Sequence, residues 1–188
     1  MSMIPTPKGV GDLTVQGWVV FLAYFGAAAL CYRAAASCWR DPEAGSRLCR
    51  VWITLSAILV LLGVNKQLDF HVWLNVFGRQ LAESEGWYQN RWIAQVTFFG
   101  GFAVVVLTVC LVLIWLGWGN LRSLSGALLG MAGLAAFLLI RAISFDVLDL
   151  RTYVGGIKLH ELLEMAGLLL IGVSATLYAT RTRSVGAP

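Results

Sequence analysis

The sequence predicts an all-α fold, a polytopic membrane helical bundle of five transmembrane helices with a short interfacial helix between spans 2 and 3. Of its 188 residues, 59% are hydrophobic and only 13% are charged, and the mean hydropathy is +0.76. This composition is typical of membrane proteins and too apolar for a soluble domain of the same size. The apolar residues also fall into runs that approach or exceed the ~20 residues a transmembrane helix needs. We therefore expect residues 1–188 to form a single integral-membrane domain.

Polar or glycine-containing breaks separate the predicted spans. The spans cover about residues 15–37, 48–70, 92–118, 125–146 and 158–180. Between spans 2 and 3, residues 74–84 are amphipathic, which indicates a helix lying in the interface.

Small residues mark the surfaces where helices can approach each other closely. Alanine clusters in span 1 and the glycines Gly126, Gly130 and Gly133 in span 4 are of this kind. The span 4 glycine face is therefore a candidate docking surface for a partner membrane protein or for a second copy of the chain. Lipid is the other expected partner. The net charge of +4 is small and spread over loops, which argues against nucleic-acid binding.

The most informative feature is a polar end shared by four spans. Because successive spans alternate in direction, the C-terminal ends of spans 2 and 4 and the N-terminal ends of spans 3 and 5 meet on one side of the membrane. Ionisable groups at such depth are costly, so they face protein or water and have partners. The candidate pocket residues are Asn65, Lys66, Asp69, His71, Arg91, Arg141, Ser144, Asp146, His160, Glu161 and Glu164.

Three interpretations of this polar end remain open. The simplest is a salt-bridge network, because basic and acidic side chains nearly balance there. The second is a metal or acid–base site, in which His160, Glu164, Asp69 and His71 would supply nitrogen and oxygen ligands suited to Zn²⁺ or Fe²⁺. His160 and Glu164 are four residues apart and share a helical face. The third is a proton pathway, although the middle of the spans offers few titratable groups to continue it.

Two classes of function follow from these interpretations. The first is a non-catalytic subunit or a lipid- or ligand-binding module with a charged pocket at the outer ends of spans 2–5. The alternative is a membrane-embedded, metal-dependent hydrolase acting on a lipid-like substrate, in which the metal would activate water.

Loop charges and cysteines bear on orientation. Arginines dominate the loop between spans 1 and 2 and the C-terminal tail, which favours an N-terminus outside and a C-terminus in the cytoplasm of a bacterial-type plasma membrane. Three of the four cysteines, Cys31, Cys38 and Cys49, lie at or near the first loop. If that loop is cytoplasmic, we expect them to be reduced thiols.

Overall fold

The computed structural model of the protein describes residues 15–41, 45–68, 91–143, 153–154 and 157–185. The described chain is almost entirely helical. In chain order its elements are α1 (Val15–Trp39), α2 (Ser46–Leu68), α3 (Arg91–Gly117), a 3-10 turn (Trp118–Asn120), α4 (Leu121–Ile143), β1 (Tyr153–Val154), β2 (Ile157–Lys158) and α5 (Leu159–Val185). The two strands pair antiparallel as a short hairpin directly before α5.

Four stretches of the described chain are long and apolar enough to cross a membrane: Gly17–Trp39, Ser46–Leu68, Gly100–Leu139 and Leu162–Thr182. The third is 40 residues long and includes most of α3 and α4, because the 3-10 turn between them does not interrupt the apolar run. The helical fold predicted from the sequence is thus present, with helices suited to a membrane. The count of five spans is not confirmed. The interfacial helix predicted for residues 74–84 lies outside the described residues.

The chain bends between α3 and α4. A Cβ atom on Gly117 would lie 2.7 Å from a methyl carbon of Leu124. On a straight helix, residues seven apart are separated by about 10 Å along the axis, so this contact requires a change of direction at the 3-10 turn. Helix α3 contacts the bundle near its C-terminal end, where Leu113 is buried and the Trp115 ring lies 5.7 Å from the Arg47 guanidinium of α2.

Helix α1 packs closely against α2 because the contact face is built from small side chains. Ala28, Ala34 and Ala35 are all buried there. The Ser56 hydroxyl of α2 donates a 2.9 Å hydrogen bond to the carbonyl oxygen of Ala28. Further along, a Cβ atom on Gly63 would lie only 2.9 Å from the Cβ atom of Tyr24. Any larger residue at position 63 would push the two helices apart.

Two of the three span 4 glycines pack against another helix of the same chain. A Cβ atom on Gly130 would lie 2.6 Å from the carbonyl oxygen of Gly167 in α5, and Gly126 faces Ser174 of the same helix. Of the three span 4 glycines, only Gly133 could take a Cβ atom that meets no described atom within 4 Å outside the backbone of its own helix. The close approach predicted for this glycine face is therefore made to α5, and its use by a partner protein stays a prediction.

The first inter-helix loop differs from the sequence-based expectation. Cys38 at the end of α1 and Cys49 at the start of α2 form a disulfide, with their Cα atoms 5.4 Å apart. That separation is normal for a disulfide, and it arises because the loop returns the chain directly beside the helix it has left. The expectation of reduced thiols fails for these two residues, whereas Cys31 and Cys110 are free.

The packing contacts define two ends of the bundle. Lys66, in the last turn of α2, meets Glu164 near the start of α5, and we call this the network end. The disulfide lies at the opposite end. Near that end, the Trp52 ring of α2 packs against the Tyr178 ring of α5, with 5.4 Å between the ring centroids. We call this opposite end the disulfide end. Helices α1 and α5 are therefore parallel, and α2 runs against both.

Candidate functional site

The main polar feature within the bundle is the side chain of Glu164, which is only 1% exposed. Its Oε1 atom accepts a 2.8 Å hydrogen bond from the Tyr24 hydroxyl. Its Oε2 atom accepts a 2.9 Å hydrogen bond from the Lys66 ammonium, which also makes the pair a salt bridge. One carboxylate thus joins α1, α2 and α5. We call these three side chains the Lys66–Glu164–Tyr24 network.

The position of the network follows from the packing of the small residues around it. Gly63 lets α2 approach α1 at Tyr24, and Lys66 lies three residues further along the same face of α2. Because the helices are close at Gly63, the Lys66 ammonium lies on the same side of α1 as the Tyr24 hydroxyl. Helix α5 places Glu164 opposite both groups, where the Lys66 side chain is only 13% exposed.

The geometry makes this network favourable only as a complete unit. An isolated charge in a low-dielectric interior is costly, whereas a carboxylate that accepts one hydrogen bond at each oxygen is well satisfied. Removing one member of a buried ion pair typically destabilises a protein by about 3–5 kcal/mol, because the remaining charge is left without compensation. The arrangement fixes the relative positions of three helices, and it leaves neither oxygen of Glu164 without a donor.

The structure brings together two of the residues predicted from the sequence, Lys66 and Glu164. Asn65 is half-buried beside Lys66 on α2. The backbones of four more predicted residues lie in helices whose side chains are outside the described part: Arg91 in α3, Arg141 in α4, and His160 and Glu161 in α5. The remaining predicted residues lie wholly outside the described residues: Asp69, His71, Ser144 and Asp146. The wider pocket therefore stays a prediction.

The predicted metal site can be compared with the structure at only one ligand, Glu164. Both oxygens of this carboxylate already accept hydrogen bonds, so binding a Zn²⁺ or Fe²⁺ ion would require it to release Tyr24 or Lys66, or to share an oxygen with one of them. Within the described ranges, no three His, Cys, Asp or Glu side chains are grouped as metal ligands. The other three proposed ligands are Asp69, His71 and His160, and the described side chains do not include them.

Tyr24 is not among the residues predicted from the sequence. It lies in the middle of an apolar run, and it is 2% exposed in the structure. A buried tyrosine hydroxyl normally has a hydrogen-bond partner, so a lone tyrosine within a span is a signal that a polar group on another helix lies at the same depth. The sequence alone does not say which group, because all the ionisable residues of four spans were candidates.

A second feature of the bundle is an apolar groove between α1 and α5 with a volume of about 380 Å³. Its α1 wall consists of Ala23, Ala27 and Leu30, and its α5 wall runs from Met165 to Leu177. At its end towards the disulfide, Leu30 also lines a smaller cavity of about 30 Å³ that includes Arg33. An apolar channel with a cation at one end has the chemical character of a site for an amphiphile.

The packed helices, their apolar surfaces and the buried ion pair together indicate the class of helical membrane proteins. Compared with protein-family models, curated proteins and solved structures, the chain matches none. Its function must therefore be inferred from its own residues.

Proposed function

We propose that the protein is a non-catalytic membrane module that binds lipid or a similar ligand, or serves as a subunit of a larger membrane assembly. The observation that carries this proposal is the engagement of both Glu164 oxygens by donors from two other helices. A carboxylate that acts as a general base or a metal ligand must present a lone pair to the substrate or the metal, whereas Glu164 is 1% exposed and each of its oxygens accepts a hydrogen bond from another helix. Glu164 instead links helices.

The competing proposal is a metal-dependent hydrolase of a lipid-like substrate. It is supported by the helical spacing of His160 and Glu164, which are both within α5 and one turn apart. In that case Glu164 would have to exchange a hydrogen-bond donor for a metal ion or share one oxygen between the two.

Metal analysis of the purified full-length protein, combined with lipid hydrolysis assays, separates the two proposals. A non-catalytic module should contain no stoichiometric Zn or Fe after purification without chelators, and it should release no fatty acid or headgroup from phospholipid vesicles. Stoichiometric metal that is lost in His160→Ala but kept in Arg122→Ala, an exposed arginine on α4, would favour the hydrolase.

We also propose that the chain crosses the membrane five times. The apolar stretch Gly100–Leu139 contains 40 residues, which as helix would extend about 60 Å. This is twice the ~30 Å thickness of the hydrocarbon core, and the bend at the 3-10 turn divides it into two helices of suitable length. Each half would then make one crossing.

The disulfide leads us to propose the reverse of the orientation that the arginines favoured. Disulfides persist in oxidising compartments such as the bacterial periplasm and are rare in the cytosol. The Cys38–Cys49 bond therefore favours a disulfide end outside a bacterial-type plasma membrane, with the network end facing the cytoplasm. With five spans, the fourteen Lys and Arg residues divide equally between the two sides, so the Arg-rich first loop and tail are only weak evidence against this arrangement.

Cysteine labelling on intact cells tests the orientation. If the disulfide end is outside, a membrane-impermeant maleimide should label the protein only after a reductant has been added. The double variant Cys38→Ser with Cys49→Ser should then lose that labelling, because the free Cys31 is buried and Cys110 lies within α3. Labelling that requires cell lysis would instead support an N-terminus outside.

On the glycine face of α4, one of the three glycines is still accessible to a partner. Gly133 has open space beside it, whereas Gly126 and Gly130 are used against α5. If a partner membrane protein or a second copy docks there, Gly133→Leu should weaken the association without disturbing the α4–α5 contact. Size-exclusion chromatography with light scattering would detect the change in mass for a homo-oligomer.

A further inference from the structure

The groove between α1 and α5 has the shape of a channel for a hydrocarbon chain. Its α5 wall runs from Met165 to Leu177, twelve helical steps that extend about 18 Å at the rise of about 1.5 Å per residue. This length is close to the ~15 Å of hydrocarbon in one leaflet, half of the ~30 Å core. The opposite wall is set back because Ala23 and Ala27 are small. The α5 wall of the groove is therefore about as long as one acyl chain.

The end of the groove carries a positive charge. Leu30 and Thr176 line both the groove and the smaller cavity beyond it, and that cavity is also lined by Arg33 and Thr180. Arg33 is exposed, and it forms no ion pair with any residue that the structure describes. Its long side chain can extend along the helix so that the guanidinium reaches the interface.

Aromatic residues place the same end at the level of the lipid headgroups. Trp39 follows Arg33 by less than two helical turns on α1 and is 60% exposed, and Trp115 is 65% exposed beside Arg47. Exposed tryptophans of this kind collect at membrane interfaces. By extending along the helix, the guanidinium of Arg33 can reach the level of the phosphate of a lipid in this leaflet.

We propose that the α1–α5 groove and Arg33 form a binding site for one anionic phospholipid. One acyl chain would occupy the apolar groove, and the phosphodiester and anionic headgroup would lie against the Arg33 guanidinium, which binds phosphate well through its planar fork of donors. A partner helix with an apolar face would fill the groove but leave the cation without a counter-charge, so the charge favours lipid. This site rests on the proposed function as a lipid-binding module and assigns it a lipid class and a location.

Native mass spectrometry of the full-length protein tests the site. The protein is incubated in detergent with equal amounts of dioleoylphosphatidylglycerol and dioleoylphosphatidylcholine, and the lipids that stay bound are counted. We expect one retained phosphatidylglycerol in preference to phosphatidylcholine. Arg33→Gln should lower that preference about fivefold, the contribution expected of one basic residue near an anionic headgroup. The matched control Arg122→Gln removes an exposed arginine at the same end that does not line the groove, and it should have no effect.

A second pair of variants tests the groove separately from the charge. Val173→Phe should fill it and reduce retention of both lipids, because Val173 lines the groove and is 56% exposed. Leu129→Phe on α4 is the control, since Leu129 is 67% exposed and away from the groove. Both proteins should remain folded, because neither position is buried.

Several results would overturn the site. They are equal lipid preference in Arg33→Gln and Arg122→Gln, equal retention in Val173→Phe and Leu129→Phe, or a change in oligomeric mass in Val173→Phe with unchanged lipid binding. The last would mean that the groove receives a second copy of the chain. Hydrolysed lipid in the spectra would instead refute the non-catalytic function, and the comparison of variants would still decide whether the groove binds the lipid.

Discussion

Substitution of Lys66 by methionine is the most direct test of the Lys66–Glu164–Tyr24 network. Methionine keeps the length and the apolar stem of lysine but removes the ammonium, so Glu164 retains only the Tyr24 hydroxyl at its carboxylate. Glu164 is 1% exposed and cannot recover hydration without opening the bundle. We expect a loss of about 3 kcal/mol in the free energy of unfolding, the lower part of the range for a broken buried pair, because Tyr24 still donates.

Substitution of the other partner, Glu164, should lower the free energy of unfolding less. In Glu164→Gln the ammonium of Lys66 is left without its carboxylate, but it is 13% exposed and lies two residues from the end of α2, so it can move towards water. The neutral amide can still accept a hydrogen bond from Tyr24. We expect a loss of about 1.5–2 kcal/mol, the lower part of the range for a hydrogen bond to a charged group, because Lys66 can regain water. The inequality between the two single variants follows from the unequal exposure of the two partners.

The double variant Lys66→Met with Glu164→Gln measures the coupling between them. With both charges gone, no uncompensated ion remains, so the double variant should be more stable than the sum of the two single changes predicts, by about 2 kcal/mol. Equilibrium unfolding in mixed micelles at increasing SDS fraction, followed by far-UV circular dichroism, gives the three free energies. Arg122→Met is the control for loss of an exposed positive charge, and it should change stability by no more than about 0.5 kcal/mol. Additive single changes, or a Lys66→Met variant as stable as the control, would refute the structural role of the network.

Three further predictions rest on the packing. Tyr24→Phe should destabilise the bundle by about 1 kcal/mol in the same SDS titration, because it removes one donor from Glu164 and leaves the aromatic packing intact. Gly130→Ala should cost about 1–3 kcal/mol because its Cβ atom would lie 2.6 Å from a backbone oxygen, whereas Gly133→Ala, with open space, should be neutral or slightly stabilising. Equal effects of the two alanines would contradict the α4–α5 packing. Reducing the disulfide should lower stability by about 3 kcal/mol, since it closes a loop with a sequence separation of 11 residues; a thiol count of four without reductant would show that the bond is absent.

The sequence predicted the helical segments well because they depend on local information. A run of apolar residues in a membrane must satisfy its backbone hydrogen bonds internally, and a helix does so. Helices α1, α2 and α3 lie in the apolar stretches from which spans 1, 2 and 3 were predicted. The count of crossings is a weaker prediction, because only a short break with a single charge, Arg122, separates α3 from α4 in the apolar stretch from residue 100 to residue 139.

The site was predictable only in part. Alternating span directions placed Lys66 and Glu164 at the same end of the bundle, and the structure joins them at 2.9 Å. The third member of the network, Tyr24, was not predictable in this way, because its partner depends on how far α1 is rotated and shifted against α5. The disulfide was likewise not predictable, since the spacing of Cys31, Cys38 and Cys49 fits more than one pairing.

The amino-acid sequence by itself determined that this chain has helices suited to a membrane, because hydropathy and helical period are properties of neighbouring residues. Only the tertiary structure decided that the carboxylate of Glu164 is shared between Lys66 and Tyr24, that Cys38 bonds to Cys49, and that α1 and α5 leave an apolar groove ending at Arg33. These features depend on the rotation and separation of whole helices. Small residues such as Gly63 and Gly130 set that geometry through contacts between residues far apart in the chain.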